Sequence, residues 1–294
     1  MANAFETDQI VASAIELLFH QSVLGETVHR DAEKGFTGGK GDSVRVRIPK
    51  RRTAKNFNGT TEFVDVNEGA VQVKLSDEPT DATKLTTREA TLDVTSFAKQ
   101  VLLPQTEAVA RYTEKNLATL MNKATDAVKT DAANQVIDPA AEPGKAGHVV
   151  KALTWAASEF TRREINPRFR FVAVGPDVQR LLLDTPHLQK VNEAGDSEGL
   201  RNAILGNLFG FDVVVSPHIN GMVAYHRDAM ALAVRVPEPS MGTRSYASVH
   251  PGDRYGLRIT HSYDPNTKAE ISTVDSLCGS SVLDAERMIA FKLK

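Results

Sequence analysis

One uninterrupted stretch, residues 105–133, constrains the fold of this chain more than any other. Its apolar residues are spaced by three and four positions, as on one face of a helix, and they are Val109, Tyr112, Leu117, Leu120, Met121, Ala124 and Val128. Charged residues such as Glu114 and Lys123 lie mostly off that face. Pro104 stands just before the stretch, where a first helical turn tolerates proline. We therefore predict a helix of roughly 40 Å, which must lie across a sheet or a neighbour because only one of its sides is apolar.

The composition excludes several classes of protein. The formal net charge is −2 over 294 residues, which argues against nucleic-acid binding by the surface as a whole. The single cysteine, Cys278, cannot form an intramolecular disulfide and fits a reducing compartment. The first residues lack the basic and apolar regions of a signal peptide, and no apolar run is long enough to cross a bilayer. We expect a protein of roughly two domains that is made in the cytoplasm and has no membrane partner.

Ahead of the helix, the pattern changes from an amphipathic arm to strands. Residues 1–30 have helical apolar spacing, and an isolated helix of that size needs a surface to lie on. Residues 43–48 then alternate apolar and basic side chains up to Pro49, as in a half-exposed strand. Residues 85–94 alternate again and predict a further strand. We interpret residues 42–94 as a long two-stranded excursion followed by a connecting strand.

The charges of this excursion are sorted along the chain. Basic residues come first, and they are Arg45, Arg47, Lys50, Arg51, Arg52 and Lys55. Acidic residues follow, and they are Glu62, Asp65, Glu68, Asp77, Glu78 and Asp81. Either the two limbs of a hairpin neutralise each other, or a protruding loop presents charge to a neighbouring subunit, since complementary charges set the choice of partner. The second interpretation makes these residues candidates for contacts between subunits: Arg45, Arg47, Arg51, Arg52, Glu62, Asp65 and Glu68.

Beyond the helix, the pattern is typical first of an α/β region and then of an all-β region. The boundary is a linker rich in proline, glycine and alanine, residues 138–147. Periodicity then predicts helices over 148–163 and 178–183, and strands over 169–174, 211–216, 221–225, 229–236, 255–263, 268–275 and 287–293. The turn Asp264-Pro265-Asn266 joins two of these strands, which predicts a hairpin.

No stretch carries the pattern of a catalytic or cofactor site. The glycine-rich residues 35–43 lack the spacing of a phosphate-binding loop, and they precede a strand instead of opening a helix. The histidines are scattered and form neither HExxH nor a Cys/His cluster for zinc. Cys278 is better explained as a small core residue than as a nucleophile. We therefore expect no catalytic residue, no cofactor and no metal, in a protein that is not an enzyme.

The order of these parts resembles the major capsid protein of tailed bacteriophages, whose fold is shared with herpesvirus shells and encapsulins. The stretches that carry the resemblance are GFTGGKGDSVRVRIPK at residues 35–50, the long helix, FRFVAVGPDVQRLLL at residues 169–183 and GNLFGFDVVVSPHI at residues 206–219. Their order and spacing are similar to the family, although none of them is a diagnostic motif. The resemblance covers essentially the whole chain and implies an α+β fold.

The resemblance also implies how the chain is divided. The implied parts are an N-terminal arm (1–41), an extended β-hairpin loop (42–94), a spine helix with the peripheral domain (95–147), an axial α/β domain (148–240) and peripheral-domain strands (241–294). The loop would lie over an adjacent subunit, and the arm would embrace another. The shell would consist of pentamers and hexamers, with double-stranded DNA packaged inside the virion.

Three features of the family are absent or altered. Because this chain starts at the arm, we expect a separate scaffolding protein, or a precursor cleaved before Met1, together with a portal. The axial region is too short for an inserted domain. Some relatives cross-link a loop lysine to an asparagine of a neighbour. Lys50, Lys55 and Asn266 match that pair by residue type only, so we expect no cross-link.

The leading hypothesis is thus a structural major capsid protein that self-assembles into an icosahedral shell. One alternative is an encapsulin-like compartment of the same fold, which would hold a protein cargo in place of DNA. The other is a soluble α/β enzyme, which would need a pocket with convergent polar groups and would remain a monomer or small oligomer.

Overall fold

The computed structural model of the chain describes residues 23–30, 43–49, 54, 56, 68–92, 97–129, 134–142, 145, 147–185, 206–238, 244–249 and 256–294. Three predicted regions lie largely outside the described residues. They are the arm before residue 23, the loop tip between residues 50 and 67, and residues 186–205.

The described residues form a mixture of helices and strands, as the α+β prediction requires. The helices are α1 (Thr87–Leu92), α2 (Leu103–Asp126), α3 (Val149–Arg162) and α4 (Pro176–Leu183). The strands are β1 (Ser43–Pro49), β2 (Glu68–Lys74), β3 (Thr80–Thr86), β4 (Val136–Ile137), β5 (Arg170–Val174), β6 (Asn207–Leu208), β7 (Phe211–Val215), β8 (Gly221–His226), β9 (Met230–Arg235), β10 (Arg244–Val249), β11 (Gly256–Asp264), β12 (Ala269–Asp275), β13 (Leu277–Val282) and β14 (Met288–Leu293). Strands β4, β6, β10 and β13 are additional to those that periodicity predicted.

Helix α2 is the predicted long helix, with different limits. It has 24 residues and is about 36 Å long. It begins directly after a π-helical turn, Ala98–Leu102, and Pro104 lies in its first turn as predicted. The predicted end at residue 133 is wrong. The backbone N–H of Val128 donates to the carbonyl of Thr125 (3.2 Å), only three residues back, and this tighter bond ends the helix at Asp126.

The buried face of α2 also differs from the predicted one. Tyr112, predicted to be buried, is 47% exposed, whereas Glu114, predicted to lie off the apolar face, is buried. The Glu114 carboxylate accepts a hydrogen bond from the backbone N–H of Leu24 (3.1 Å). The Gln105 side chain donates to the carbonyl of Ser272 (3.0 Å). These distant partners satisfy polar groups inside the core, so the helix is rotated from the orientation that its apolar residues predict.

A six-stranded sheet packs against α2, with the strand order β4-β14-β8-β5-β7-β6. The pairs β4–β14 and β5–β7 are parallel, and the remaining pairs are antiparallel. Successive residues point to opposite faces, so Ala173 and Val223 pack on α2, whereas Val172 and Ala224 pack on α3 and α4. This region is therefore a three-layer arrangement with the sheet in the middle.

Strand β14, the last of the chain, lies inside this sheet between β4 and β8. It pairs with β8 from Met288↔Tyr225 to Lys292↔Gly221. The closing strand thus completes the sheet of the predicted axial region and does not pair with the β11–β12 hairpin. The domain limits implied by the resemblance stay a prediction.

A second sheet, four-stranded and antiparallel, has the order β10-β11-β12-β3. It contains the predicted hairpin around the turn Asp264-Pro265-Asn266. Leu257, Ile259 and Val274 of this sheet pack against the first half of α2. The long helix therefore contacts both sheets, which is the joining role predicted for it.

The strand predicted over residues 85–94 is wrong from residue 87 to residue 92, where the chain forms a helix. Strand β3 ends at Thr86, and helix α1 begins at Thr87. The N–H and the hydroxyl of Thr86 donate to Glu89 Oε2 (2.9 and 2.7 Å), and the N–H of Glu89 donates back to Thr86 Oγ1 (3.4 Å). This reciprocal pair is a capping box, T-x-x-E, which starts a helix. The capping signal overrides the apolar alternation of the residues that follow it.

Candidate assembly interface

The β1–β2 hairpin is the described part of the predicted extended loop. Its strands pair antiparallel from Ser43↔Lys74 at the base to Pro49↔Glu68 at the far end. The apolar face of the hairpin packs on β9 and β13, and its residues are Val44, Val46, Ile48, Val71, Val73 and Leu75. The alternation predicted for residues 43–48 is therefore confirmed, because one face is held against the molecule and the other is exposed.

The structure describes part of the predicted contact set. Arg45 and Arg47 are exposed on the outer face of the hairpin. They stand opposite Gln72 and Ala70 in the strand ladder, so their direct cross-strand partners are not acidic. The backbone of Glu68 lies at the far end of β2. The other members, Arg51, Arg52, Glu62 and Asp65, lie outside the described residues, and the contact role of the whole set stays a prediction.

The base of the hairpin is attached to β13 by direct backbone contact. The N–H of Asp77 donates to the carbonyl of Cys278 (3.1 Å), and the N–H of Cys278 donates to the carbonyl of Asp77 (2.9 Å). At Gly279, a Cβ atom would lie 1.8 Å from the carbonyl oxygen of Lys74. Only glycine allows the end of β2 to come so close. No local pattern in the sequence marks Gly279, because the residue that approaches it, Lys74, lies far away along the chain.

Most of residues 23–30, in the predicted arm, are buried against their own chain. Leu24 and Val28 are fully buried and pack with α2 and the six-stranded sheet. The backbone of His29 lies beside β9, where its N–H donates to the carbonyl of Met230 (3.0 Å) and its carbonyl accepts from the N–H of Leu232 (3.1 Å). This part of the predicted arm is therefore an anchor, and the rest of the arm lies outside the described residues.

A charged cluster around Asp228 holds this anchor. The Asp228 carboxylate lies 3.4 Å from His29 Nδ1, 3.6 Å from His226 Nδ1 and 3.4 Å from the guanidinium of Arg287. The hydrogen bond from His29 holds the pKa of Asp228 below its usual value, although burial opposes the shift. Burial lowers the pKa of His226, although the charge of Asp228 opposes that shift. The cluster is therefore most stable with a charged Asp228 and a neutral His226.

We predict that acidification weakens this cluster first through His226. Its pKa in the folded chain lies below the usual 6.5, so the unfolded chain binds a proton first and stability falls as the pH drops through 6.5. The lowered pKa of Asp228 adds a further loss only below its usual value of 3.8, as the pH falls through the folded pKa. The thermal unfolding midpoint should therefore be lower at about pH 5.5 than at about pH 7.5.

The variant His226→Asn tests the assignment, because asparagine keeps an acceptor near the N–H of Asp228. The difference between the two midpoints should shrink in this variant. Burial also lowers the pKa of His218, which remains in both proteins and provides the residual slope. An equal pH dependence in the two proteins would contradict the role of His226.

The single thiol of the chain has a structural role, and no metal site forms among the described residues. Cys278 is fully buried, and burial raises the pKa of its thiol to about 12, so the predicted core role of this residue is confirmed. Among the described residues, no cluster of three or more His, Cys, Asp and Glu side chains is arranged to hold a metal ion. No helix in the same part of the chain is both long and apolar enough to span a membrane.

Known proteins share this architecture. The family described as phage capsid protein matches residues 87–268, which is more than half of the chain. No curated protein sequence matches the chain.

Solved structures match over most of the chain. A chain of Mycobacterium phage Che8 is 17% identical, with 92% of this chain and 90% of that chain covered and a TM-score of 0.63. A chain from the capsid of cyanophage P-SCSP1u is 14% identical, with 88% and 85% covered and a TM-score of 0.59. A chain from the capsid of a native GTA particle is 13% identical, with 93% and 90% covered and a TM-score of 0.55. At these identities the matches show the fold, which is the predicted α+β phage capsid fold. Together with the family match, this fold places the chain in the phage capsid protein family, as a structural capsid protein of the virion.

Proposed function

We propose that this chain is the major subunit of an icosahedral shell, built of pentamers and hexamers, that encloses double-stranded DNA. The proposal rests mainly on the extent of the structural matches, which cover nearly all of this chain and nearly all of the matched capsid chains. The match to the GTA particle capsid, described with C5 symmetry, covers 93% of this chain and 90% of that one. Capsid chains therefore match this chain along nearly its whole length.

The assembly mechanism that we propose relies on many modest contacts between unlike faces. Closed rings of identical subunits need such heterologous contacts, and complementary charge fixes their register. The hairpin supports this role, because its apolar face is held on β9 and β13 while Arg45 and Arg47 remain exposed. A separate scaffolding protein and a portal would complete the assembly, which would take place in the host cytoplasm.

The test is electron microscopy of the purified protein, alone and co-expressed with its genomic neighbours, together with its mass by light scattering. We expect closed shells that contain DNA when packaging partners are present. Shells that hold a protein cargo and no DNA would favour a compartment of the encapsulin type. A monodisperse monomer or dimer under every condition would contradict the proposal.

Reversing the charge of the loop provides a residue-level prediction. The variant Arg51→Glu/Arg52→Glu should reduce shell yield by about tenfold or more, because like charges then face each other in a contact selected for opposite charge. The subunit should remain folded, with an unchanged circular dichroism spectrum. Shell yield is measured by sedimentation and particle counting.

A matched control changes the net charge by the same amount elsewhere. Lys84 on β3 and Lys151 on α3 are both exposed, and we call the variant Lys84→Glu/Lys151→Glu the charge control. It should assemble nearly as well as the unmodified chain. Wild-type yield from the loop variant would count against the electrostatic role of the loop.

A further inference from the structure

The exposed side of helix α2 is basic along most of its length. Between positions 108 and 123 the exposed residues of the helix are Ala108, Arg111, Tyr112, Lys115, Thr119 and Lys123. Three of them are cations, and none is acidic. Of the acids of α2, Glu114 is buried, Glu107 is half-buried and Asp126 lies at the end of the helix. We call these six exposed residues the basic face.

The charge of the basic face is not neutralised by the described part of the chain. Its three cations form no ion pair with a described residue. An open groove of about 470 Å³ beside the face is lined by Lys115 and Lys123, and Asp77 is the acidic group of its lining. The Asp77 carboxylate accepts a hydrogen bond from the Asn116 side chain, and its charge raises the pKa of Tyr112. Three cations against one carboxylate leave this surface positive.

A neighbouring histidine responds to the positive charge. His218 lies in the turn between β7 and β8, where its backbone carbonyl accepts a hydrogen bond from the Asn122 side chain of α2 (2.8 Å). Burial lowers the pKa of His218, and the charges of Lys115 and Arg111 lower it further. The positive field of the basic face therefore extends to the adjacent turn.

The cations are spread along the helix axis on the scale of a phosphate backbone. Arg111 and Lys115 are about 6 Å apart along the axis, and Lys123 follows about 12 Å further on. Each strand of duplex DNA presents one phosphate per about 3.4 Å of its axis. The basic face, about 18 Å long, therefore lies opposite about five phosphates of one strand, so each cation can contact a phosphate of its own.

The chemistry of this face favours a phosphate backbone over a protein surface. The core of a protein interface is apolar and depleted in lysine. On α2, by contrast, Tyr112 is the single large apolar side chain that is exposed. Lysine and arginine that contact phosphates read no bases, so such a face binds DNA of any sequence. The same contact can therefore form with every stretch of an enclosed DNA.

We propose that the basic face of α2 contacts the phosphate backbone of the DNA that the shell encloses. Arg111, Lys115 and Lys123 each neutralise a phosphate, whatever the sequence. The formal net charge of −2 leaves the rest of the surface net acidic, so DNA is drawn to this face and not to the subunit as a whole. The inference rests on the proposed shell function and adds which surface of the subunit meets the DNA.

DNA binding by unassembled full-length subunits measures the contact directly. The probe is a short fluorescein-labelled duplex of mixed sequence, followed by fluorescence anisotropy over a series of salt concentrations. The variant Lys115→Gln/Lys123→Gln removes two charges and keeps side chains of similar length. Its affinity should fall about tenfold or more, and the slope of log affinity against log salt should decrease by about two, since each phosphate contact contributes about 0.9.

The matched control removes the same charge from other surfaces. Lys84→Gln/Lys151→Gln lies at exposed positions of β3 and α3 and should change the affinity by less than about twofold. Circular dichroism should show both variants folded. An unchanged salt slope in Lys115→Gln/Lys123→Gln, or an equal decrease in the control, would overturn the contact.

Lysine labelling in shells distinguishes DNA from a protein neighbour as the group that covers the face. DNA-filled shells, and the same shells emptied of their DNA, are treated with an amine-acetylating reagent and analysed by mass spectrometry. We expect Lys115 and Lys123 to be protected in filled shells and labelled in emptied shells, with Lys84 and Lys151 labelled equally in both. Equal protection of Lys115 and Lys123 in both kinds of shell would assign the face to a neighbouring subunit and overturn the inference.

The outcomes separate the two proposals. If the unmodified chain forms no shells, the proposed shell function fails, and the salt slope of the free subunits still decides whether the basic face binds DNA. If DNA-filled shells form while Lys115→Gln/Lys123→Gln binds DNA like the control, the shell function stands and the DNA contact is overturned.

Discussion

Gly279→Ala should detach the base of the hairpin and lower the free energy of unfolding by about 3 kcal/mol or more. The new Cβ atom would lie 1.8 Å from the carbonyl oxygen of Lys74 and 3.1 Å from the Cα of Leu75. Both atoms belong to the backbone, so no side-chain rotation can relieve the overlap. The end of β2 must move away from β13, which also strains the two hydrogen bonds between Asp77 and Cys278.

Urea unfolding followed by circular dichroism measures the loss, and limited proteolysis shows where it occurs. Cleavage within residues 68–77 should become faster in the variant. Gly69→Ala is the matched control, because a Cβ there would meet only the carbonyl oxygen of Ile48 at 3.7 Å. The control should change stability by no more than about 0.5 kcal/mol. Equal stability of the two variants would contradict the close contact.

Phe160→Ala should produce a loss of similar or greater size, about 3–5 kcal/mol. Phe160 is fully buried between α3 and the six-stranded sheet. Its ring is nearly perpendicular to that of Phe211, with a centroid distance of 5.4 Å, and the guanidinium of Arg170 lies 5.6 Å from its centre. The substitution leaves a cavity and removes both aromatic contacts, because the surrounding sheet cannot collapse into the space.

The thermal unfolding midpoint should fall by about 10 °C. Phe209→Ala is the control, because Phe209 is 46% exposed at the turn between β6 and β7. That variant removes a ring of the same size and should lower the midpoint by no more than about 2 °C. A similar fall in both variants would contradict the central place of Phe160 in the core.

Local patterns predicted the elements in which one signal dominates. Helix α3 has apolar residues on one side, and His148 caps its start by accepting a hydrogen bond from the N–H of Val150 (3.3 Å). Strands β11 and β12 flank a turn of Asp, Pro and Asn that no other structure competes for. In both places the periodicity agrees with the chemistry of the cap or of the turn. The sequence alone was therefore sufficient to predict these elements.

Prediction failed where two local signals compete or where the signal is weak. Residues 87–92 alternate like a strand, but the capping box between Thr86 and Glu89 begins a helix. Strand β13, with the sequence LCGSSV, has too few apolar residues to show an alternation. The position of β13 in the fold depends on its antiparallel pairing with β9 and on the close approach of Lys74 to Gly279. The capping motif was present in the sequence and could have been found, whereas the approach of Lys74 could not.

The sequence by itself determined the α+β class, the long helix, the sorted charges of the hairpin and the resemblance to phage capsid proteins. Those features arise from residues that are close together in the sequence. A short stretch of sequence is therefore enough to predict them. The tertiary structure alone decided which face of α2 is buried, where β14 enters the sheet and how closely Lys74 approaches Gly279. Each depends on residues far apart in the chain, such as Leu24 and Glu114, whose polar groups are satisfied only when the whole chain has folded.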